Sequence, residues 1–170
     1  LMITIRQATL SDAPVVAEFN RCMALETEQF RLDPAVLDAG VAAVLADAAK
    51  GLYFLAEVDG EIAGQLLITY EWSDWRNGNW WWIQSVYVRP AFRGQGVFRT
   101  LFEQVARLAR TRPGIAGLRL YMHRANQRAR RAYTQLGMKH SGYEVFEMDF
   151  VLSGRGTAAP DAPAQTPPVD

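Results

Sequence analysis

The sequence has 170 residues, 49% of them apolar and 21% charged, enough for one hydrophobic core without covalent staples. One cysteine, Cys22, and two histidines exclude an internal disulfide and give no basis for a metal centre. No apolar run approaches the roughly 20 residues that span a bilayer, and no basic stretch leads into an apolar one at the start. The expectation is a chain with no membrane partner in the reducing cytoplasm.

A formal charge of zero hides a polarity. Residues 1–88 hold five Lys/Arg against twelve Asp/Glu, whereas residues 89–150 hold twelve against four. An acidic half beside an arginine-rich half suggests two ligands of opposite sign meeting in one domain. The basic half has no Lys/Arg runs interleaved with aromatics, so a nucleic-acid partner is not expected.

In chain order, Ile3–Gln7 alternates as a short strand. Ser11-Asp12-Ala13-Pro14 is a helix start, and Val15, Val16, Phe19 and Met23 follow on one helical face. Glu26–Leu32 reads as a polar connection, and a second helix opens at Asp33-Pro34 and stops near Gly51. Leu52–Val58 and Ile62–Tyr70 are strands joined by Asp59-Gly60, and Trp80–Val88 returns after a turn at Ser73–Asn79. A helix over Phe98–Arg110 carries an apolar stripe of Phe98, Leu101, Phe102, Val105, Leu108 and Ala109. Leu118–His123 is a strand, Gln127–Leu136 a helix ended by Gly137, and Tyr143–Val151 a final strand. Residues 153–170, rich in Ala and Pro, read as a flexible tail to a single domain over 1–152. The order β-α-α-β-β-β-α-β-α-β predicts an α/β class, a mixed sheet with helices packed on it.

The chemistry concentrates between Val86 and Phe98. A buried strand ends at Pro90, and two glycines, Gly94 and Gly96, stand where a long helix begins. Helix N-termini expose unpaired N–H groups and partial positive charge, and Arg93 and Arg99 add full charges, so the segment predicts a pyrophosphate cradle. It lacks the Gly-Lys-Ser/Thr of a P-loop and the third glycine of a dinucleotide fingerprint.

Arg93-Gly94-Gln95-Gly96-Val97-Phe98, after the strand Val86–Val88, resembles the Arg/Gln-x-x-Gly-x-Gly/Ala motif of the GNAT superfamily of acetyltransferases. The run from Asn126 to Met138, with Ala129, Tyr133 and Gly137, is similar to that superfamily's Asn-x-x-Ala-x-x-x-Tyr-x-x-x-Gly-Phe signature. Order and spacing match over residues 2–151. Phe98 stands where the family usually has Gly or Ala, which a cradle built from backbone N–H groups tolerates if the ring turns into the core.

The resemblance implies a GNAT-like fold and acetyl-CoA as co-substrate, with no metal. It places the pantetheine arm along the backbone of Val86, Tyr87 and Val88. It places the pyrophosphate on Arg93, Gly94, Gln95, Gly96, Val97 and Phe98, and a pantetheine amide on Asn126, whose residue type also suits a helix N-cap. Tyr133 becomes the candidate acid that protonates the departing thiolate. The strand Trp80–Val88 carries no carboxylate, so the candidate general bases are Glu71 and Glu28. An aromatic and acidic cluster, with Glu71, Trp72, Asp74, Trp82 and Gln84 as its candidate contacts, predicts a pocket for a small cationic amine. Transfer to a primary amine in a ternary complex is the expected function. A non-catalytic CoA-binding sensor and a protein or peptide amine acetyltransferase remain as alternatives, and an exposed edge strand would serve a homodimer.

Overall fold

The computed structural model describes residues 1–152, so the expected tail over 153–170 lies outside the described residues. Five strands form one sheet in the order β1-β2-β3-β4-β5. They are β1 (Ile3–Gln7), β2 (Leu52–Val58), β3 (Glu61–Ser73), β4 (Gly78–Val88) and β5 (Ile115–Arg119). The first four are antiparallel neighbours, and β5 joins parallel to β4. Helices α1 (Ala13–Glu28), α2 (Pro34–Ala46), α3 (Val97–Thr111) and α4 (Gln127–Gln135) complete the order. No helix among the described residues is long and apolar enough to cross a membrane.

The sheet is covered on both faces over β2 and β3, which explains why β2 is an almost unbroken apolar run. On one face α3 packs Val97, Phe98, Leu101, Phe102 and Val105 against Phe54, Leu66, Ile68, Trp81 and Ile83. On the other, Val16 and Val41 of α1 and α2 lie against Tyr53, Leu55 and Leu67. The buried positions of α3 recur at three- and four-residue spacing, and each fully buried large side chain contributes roughly 1.5–3 kcal/mol of transfer free energy. Asp33 caps α2 by accepting from Ala35 N–H (2.9 Å) and Val36 N–H (3.3 Å).

Three expectations are corrected. The connection predicted from Glu26 is still helix, because α1 runs to Glu28 and ends on Gln29 in the left-handed region (φ 51°). The strand predicted over Leu118–His123 lies earlier, over Ile115–Arg119, because only there does β5 pair with β4. The final strand predicted over Tyr143–Val151 is absent: every residue from 139 to 152 is exposed, with no strand beside it.

Candidate active site

The site is built where β4 loses its neighbour. Pairing with β5 runs from Asn79 to Trp82, and beyond it Ile83–Val88 has no strand on that side. β4 also carries a bulge: Gln65 is opposite Tyr87 and Leu67 opposite Gln84, with Ser85 at φ 49°. The buried Gln65 side chain supports it, donating from Nε2 to Ser85 O (3.2 Å) and to Asn20 Oδ1 (2.9 Å). Arg89 N–H bonds back to Ala63 O on β3. The alternation of an antiparallel ladder therefore turns the N–H groups of Val86 and Val88 toward the gap.

After β4 the chain makes one short turn at Pro90–Phe92 and enters α3 through Gly94 (φ 78°) and Gly96 (φ 81°). Both are left-handed conformations that an L side chain adopts only at a cost, and the space above both is open. Gly96 is the N-cap of α3 and has no side chain to offer the first amides of the helix. Over them lies a cleft of about 390 Å³ between α3 and α4, bordered by Gly94, Gly96, Arg99, Arg128, Arg131 and Gln135. Three arginines line a cleft at a helix N-terminus, a set of residues whose chemistry fits a pyrophosphate.

Of the residues read from sequence, Gly94 and Gly96 form this turn and Val97 and Phe98 open α3, whereas the Arg93 side chain is held by groups of the chain itself. Its Nε donates to Val88 O (2.8 Å), and it forms a 2.7 Å ion pair with Glu26. Glu26 also accepts from Tyr87 OH (3.0 Å), and burial together with that carboxylate holds the Tyr87 phenol well above its ordinary value. Gln95 is likewise committed, donating to Ala91 O (2.8 Å). Arg128 and Arg131 went unread in the sequence, although their spacing with Ala132 and Gln135 marks one helical face.

Asn126 caps α4, its Oδ1 accepting from Ala129 N–H (2.9 Å). Two helical turns after Asn126, Tyr133 meets the buried Phe98 ring edge-on, with centroids 5.8 Å apart. The Phe98 ring thus points into the core and fixes the face on which Tyr133 stands. Burial raises the Tyr133 phenol to about 12, which keeps it protonated near neutrality.

The acidic and aromatic cluster is more occupied than its sequence suggests. Trp82 Nε1–H donates to Glu71 (2.6 Å), and Arg119 pairs with the same carboxylate (3.1 Å). The two together hold Glu71 below its ordinary carboxylate range. Glu71 sits opposite Trp80, five residues and roughly 17 Å of strand from the bulge at Ser85. Trp80 packs on Gly117 and carries Arg119 (4.0 Å) and Arg76 (4.8 Å) against its ring. Trp81 is core, and Trp82 lies 6.1 Å from Tyr121. Gln84 Nε2 donates to Thr69, Trp72 is exposed, and Asp74 lies out at the β3–β4 hairpin, accepting from Trp75 N–H. Glu28 is exposed on the last turn of α1.

Residues 15–138 match the model of the acetyltransferase (GNAT) family. The chain is 34% identical over 100 residues to a thialysine N-epsilon-acetyltransferase of Caenorhabditis elegans, an alignment spanning 56% of this chain and 61% of that relative. Its fold matches the crystal structure of a possible acetyltransferase from Clostridium difficile 630, with TM-score 0.82 and 40% identity over 89% of this chain and 99% of the other. A predicted acetyltransferase from Clostridium acetobutylicum with acetyl-CoA shares the fold at TM-score 0.69 and 17% identity, over 87% of this chain and 96% of the other.

Proposed function

The chain belongs to the acetyltransferase (GNAT) family, and on that premise we propose that it moves the acetyl group of acetyl-CoA to the primary amine of a small cationic molecule. The observation that carries this reading is the cleft: left-handed Gly94 and Gly96, the α3 N-terminus and three arginines, at the place where β4 stands without β5. The pyrophosphate lies on the backbone from Gly94 to Phe98, flanked by Arg99, Arg128 and Arg131. The pantetheine arm enters the gap as an added strand against Val86 and Val88. Its pairing at Val88 uses the N–H, since the carbonyl is held by Arg93.

The thioester then lies at the bulge, where Val86 N–H stabilises the oxyanion as the amine nitrogen attacks. The new C–N bond forms, the C–S bond breaks, and the sulfur takes charge. Tyr133 donates its O–H hydrogen bond to that sulfur. A phenol near 12 is a weaker acid than a free thiol near 8.5, so Tyr133 stabilises the departing thiolate by hydrogen bonding ahead of full proton transfer. The amine gives up its proton through water at the mouth of the gap. Glu71, ion-paired and held low, orients the acceptor through charge with Trp82 beside it. The similarity to thialysine N-epsilon-acetyltransferases supports an amine acceptor of that kind.

Thiol release from acetyl-CoA, followed against polyamines, aminoglycosides, amino acids including thialysine, and Lys peptides, tests the proposal. Turnover on one small-amine class, reduced about 100-fold in Tyr133→Phe with acetyl-CoA binding retained, is the expected result. Tight acetyl-CoA binding with no turnover on any amine would replace it with the sensor reading.

A further inference from the structure

In the transfer proposed above, the Ser85–Val86 peptide carries the donor for the oxyanion, and the β3–β4 ladder does not hold it. Gln65 is paired with Tyr87 and Leu67 with Gln84, so Ser85 and Val86 face the single Leu66 with no register partner. Ser85 takes φ 49°, a left-handed conformation that a residue with a Cβ adopts against a strain cost. Something other than the ladder has to fix this peptide plane.

The Gln65 side chain supplies that hold. It is fully buried, and its Nε2 donates to Ser85 O (3.2 Å) and to Asn20 Oδ1 (2.9 Å). A backbone carbonyl only accepts, so the contact to Ser85 O fixes which end of the Gln65 amide faces β4. Asn20, buried on α1, is oriented in turn: its Nδ2 donates to Tyr53 OH (3.1 Å), which leaves Oδ1 for Gln65. A polar chain thus runs from Tyr53 on β2 through Asn20 and Gln65 to the bulge of β4. The Oε1 of Gln65 has no hydrogen-bond partner among the described residues, so packing alone does not account for an amide in this sheet interior.

We propose that Gln65 is a positioning residue for the transfer step: by holding the Ser85 carbonyl toward β3, it aims the Val86 N–H into the gap beside β4. The link is the peptide plane itself. No peptide bond among the described residues is cis, and in a trans unit the C=O and N–H point in opposite directions. A carbonyl drawn to Gln65 on the β3 side turns the N–H away from β3, toward the place where the thioester oxygen gathers charge. Through Asn20, α1 fixes the same angle. The effect on rate rests on the acetyl-transfer reading, whereas the geometry can be read without a substrate.

Gln65→Leu keeps most of the volume and removes both donors, and the full chain is used throughout. In the parent, the Gln65 side-chain amide protons are expected to exchange at least roughly 10-fold more slowly than those of an exposed glutamine. In the variant, the residual dipolar coupling of the Val86 N–H is expected to change while those of Leu67 and Ile83 stay at their parent values. With an amine that the parent acetylates, kcat is expected to fall about 10–100-fold, since a misaimed donor forfeits part of what a lost one does. The acetyl-CoA dissociation constant and the amine KM are expected to stay within about twofold, because the donor acts on the transition state rather than on binding. Asn20→Ala, which frees the Gln65 amide from the α1 side, is expected to move the same coupling and kcat less far. An unchanged Val86 coupling in Gln65→Leu overturns the proposal. So does an unchanged kcat, or a kcat that falls only in step with acetyl-CoA affinity and melting temperature. Gln65 amide protons that exchange freely in the parent overturn it even if neither variant folds. A parent that binds acetyl-CoA but acetylates no amine defeats the transfer reading instead, and the Val86 coupling still decides the positioning.

Discussion

Phe98→Ala is informative because two lines of reasoning predict opposite signs. The related motif usually has Gly or Ala at this place, and replacing an unusual residue by the common one often stabilises. Here the ring is fully buried, 6.1 Å from Phe102 and 5.8 Å from Tyr133, so its removal leaves a cavity beneath the α3–α4 contact. Such truncations cost about 3–5 kcal/mol, a large share of the roughly 5–15 kcal/mol that holds a domain folded. With a urea slope near 2 kcal/mol per M, the unfolding midpoint should fall by about 1.5–2.5 M. The same cavity lets water reach Tyr133, so its phenol should titrate closer to the ordinary value near 10 than to about 12. That shift is read as tyrosinate absorbance, with Tyr133→Phe as the blank. A Phe98→Ala protein as stable as the parent, with an unmoved Tyr133, would refute the packing described for the two rings.

Other changes separate the cradle from the scaffold. Arg128→Gln with Arg131→Gln should weaken acetyl-CoA binding about 10-fold and flatten its salt dependence, because these exposed guanidiniums act through screened charge; calorimetry at two ionic strengths reads both. Gly96→Ala should cost about 1 kcal/mol, since φ is 81° although space is open, whereas Gly40→Ala inside α2 should gain about 0.5–1 kcal/mol in the same urea assay. Asp12 is held at about 2, chiefly by its hydrogen bonds from Arg6. Its contribution, about 2 kcal/mol, is complete above the unfolded value near 3.8 and is lost as pH falls through 2. Urea midpoints measured between pH 6 and 2 should therefore fall more steeply in the parent than in Asp12→Asn.

Much of this architecture is written in local pattern. The apolar stripe places α3, and the Asp59-Gly60 turn the end of β2 and the start of β3, within a residue, because periodicity and turn chemistry act over short range. The turn through Gly94 and Gly96 was legible for the same reason: positive φ restricts the residue type. What escaped depends on partners. The composition of Tyr143–Val151 is sound strand grammar, but a strand needs a neighbour, and none lies beside it among the described residues. Arg93 reads as a phosphate ligand until Glu26 is seen beside it. Glu26 itself stands two helical turns after the buried Phe19, on the same face, a spacing that extending α1 to Glu28 would have exposed. Glu71 and Trp82 read as an open pocket for a cation, yet they bond each other and the chain's own Arg119 pairs with the same carboxylate.

The claim beneath all of this is that the cleft at the start of α3 holds the pyrophosphate of acetyl-CoA. Calorimetric titration of the full chain with acetyl-CoA, alongside acetyl-pantetheine, which lacks the pyrophosphate, addresses it directly. The account predicts micromolar binding of acetyl-CoA and binding of acetyl-pantetheine at least about 100-fold weaker, a difference near 2.7 kcal/mol. Equal affinity for the two, or no binding of acetyl-CoA, would contradict it.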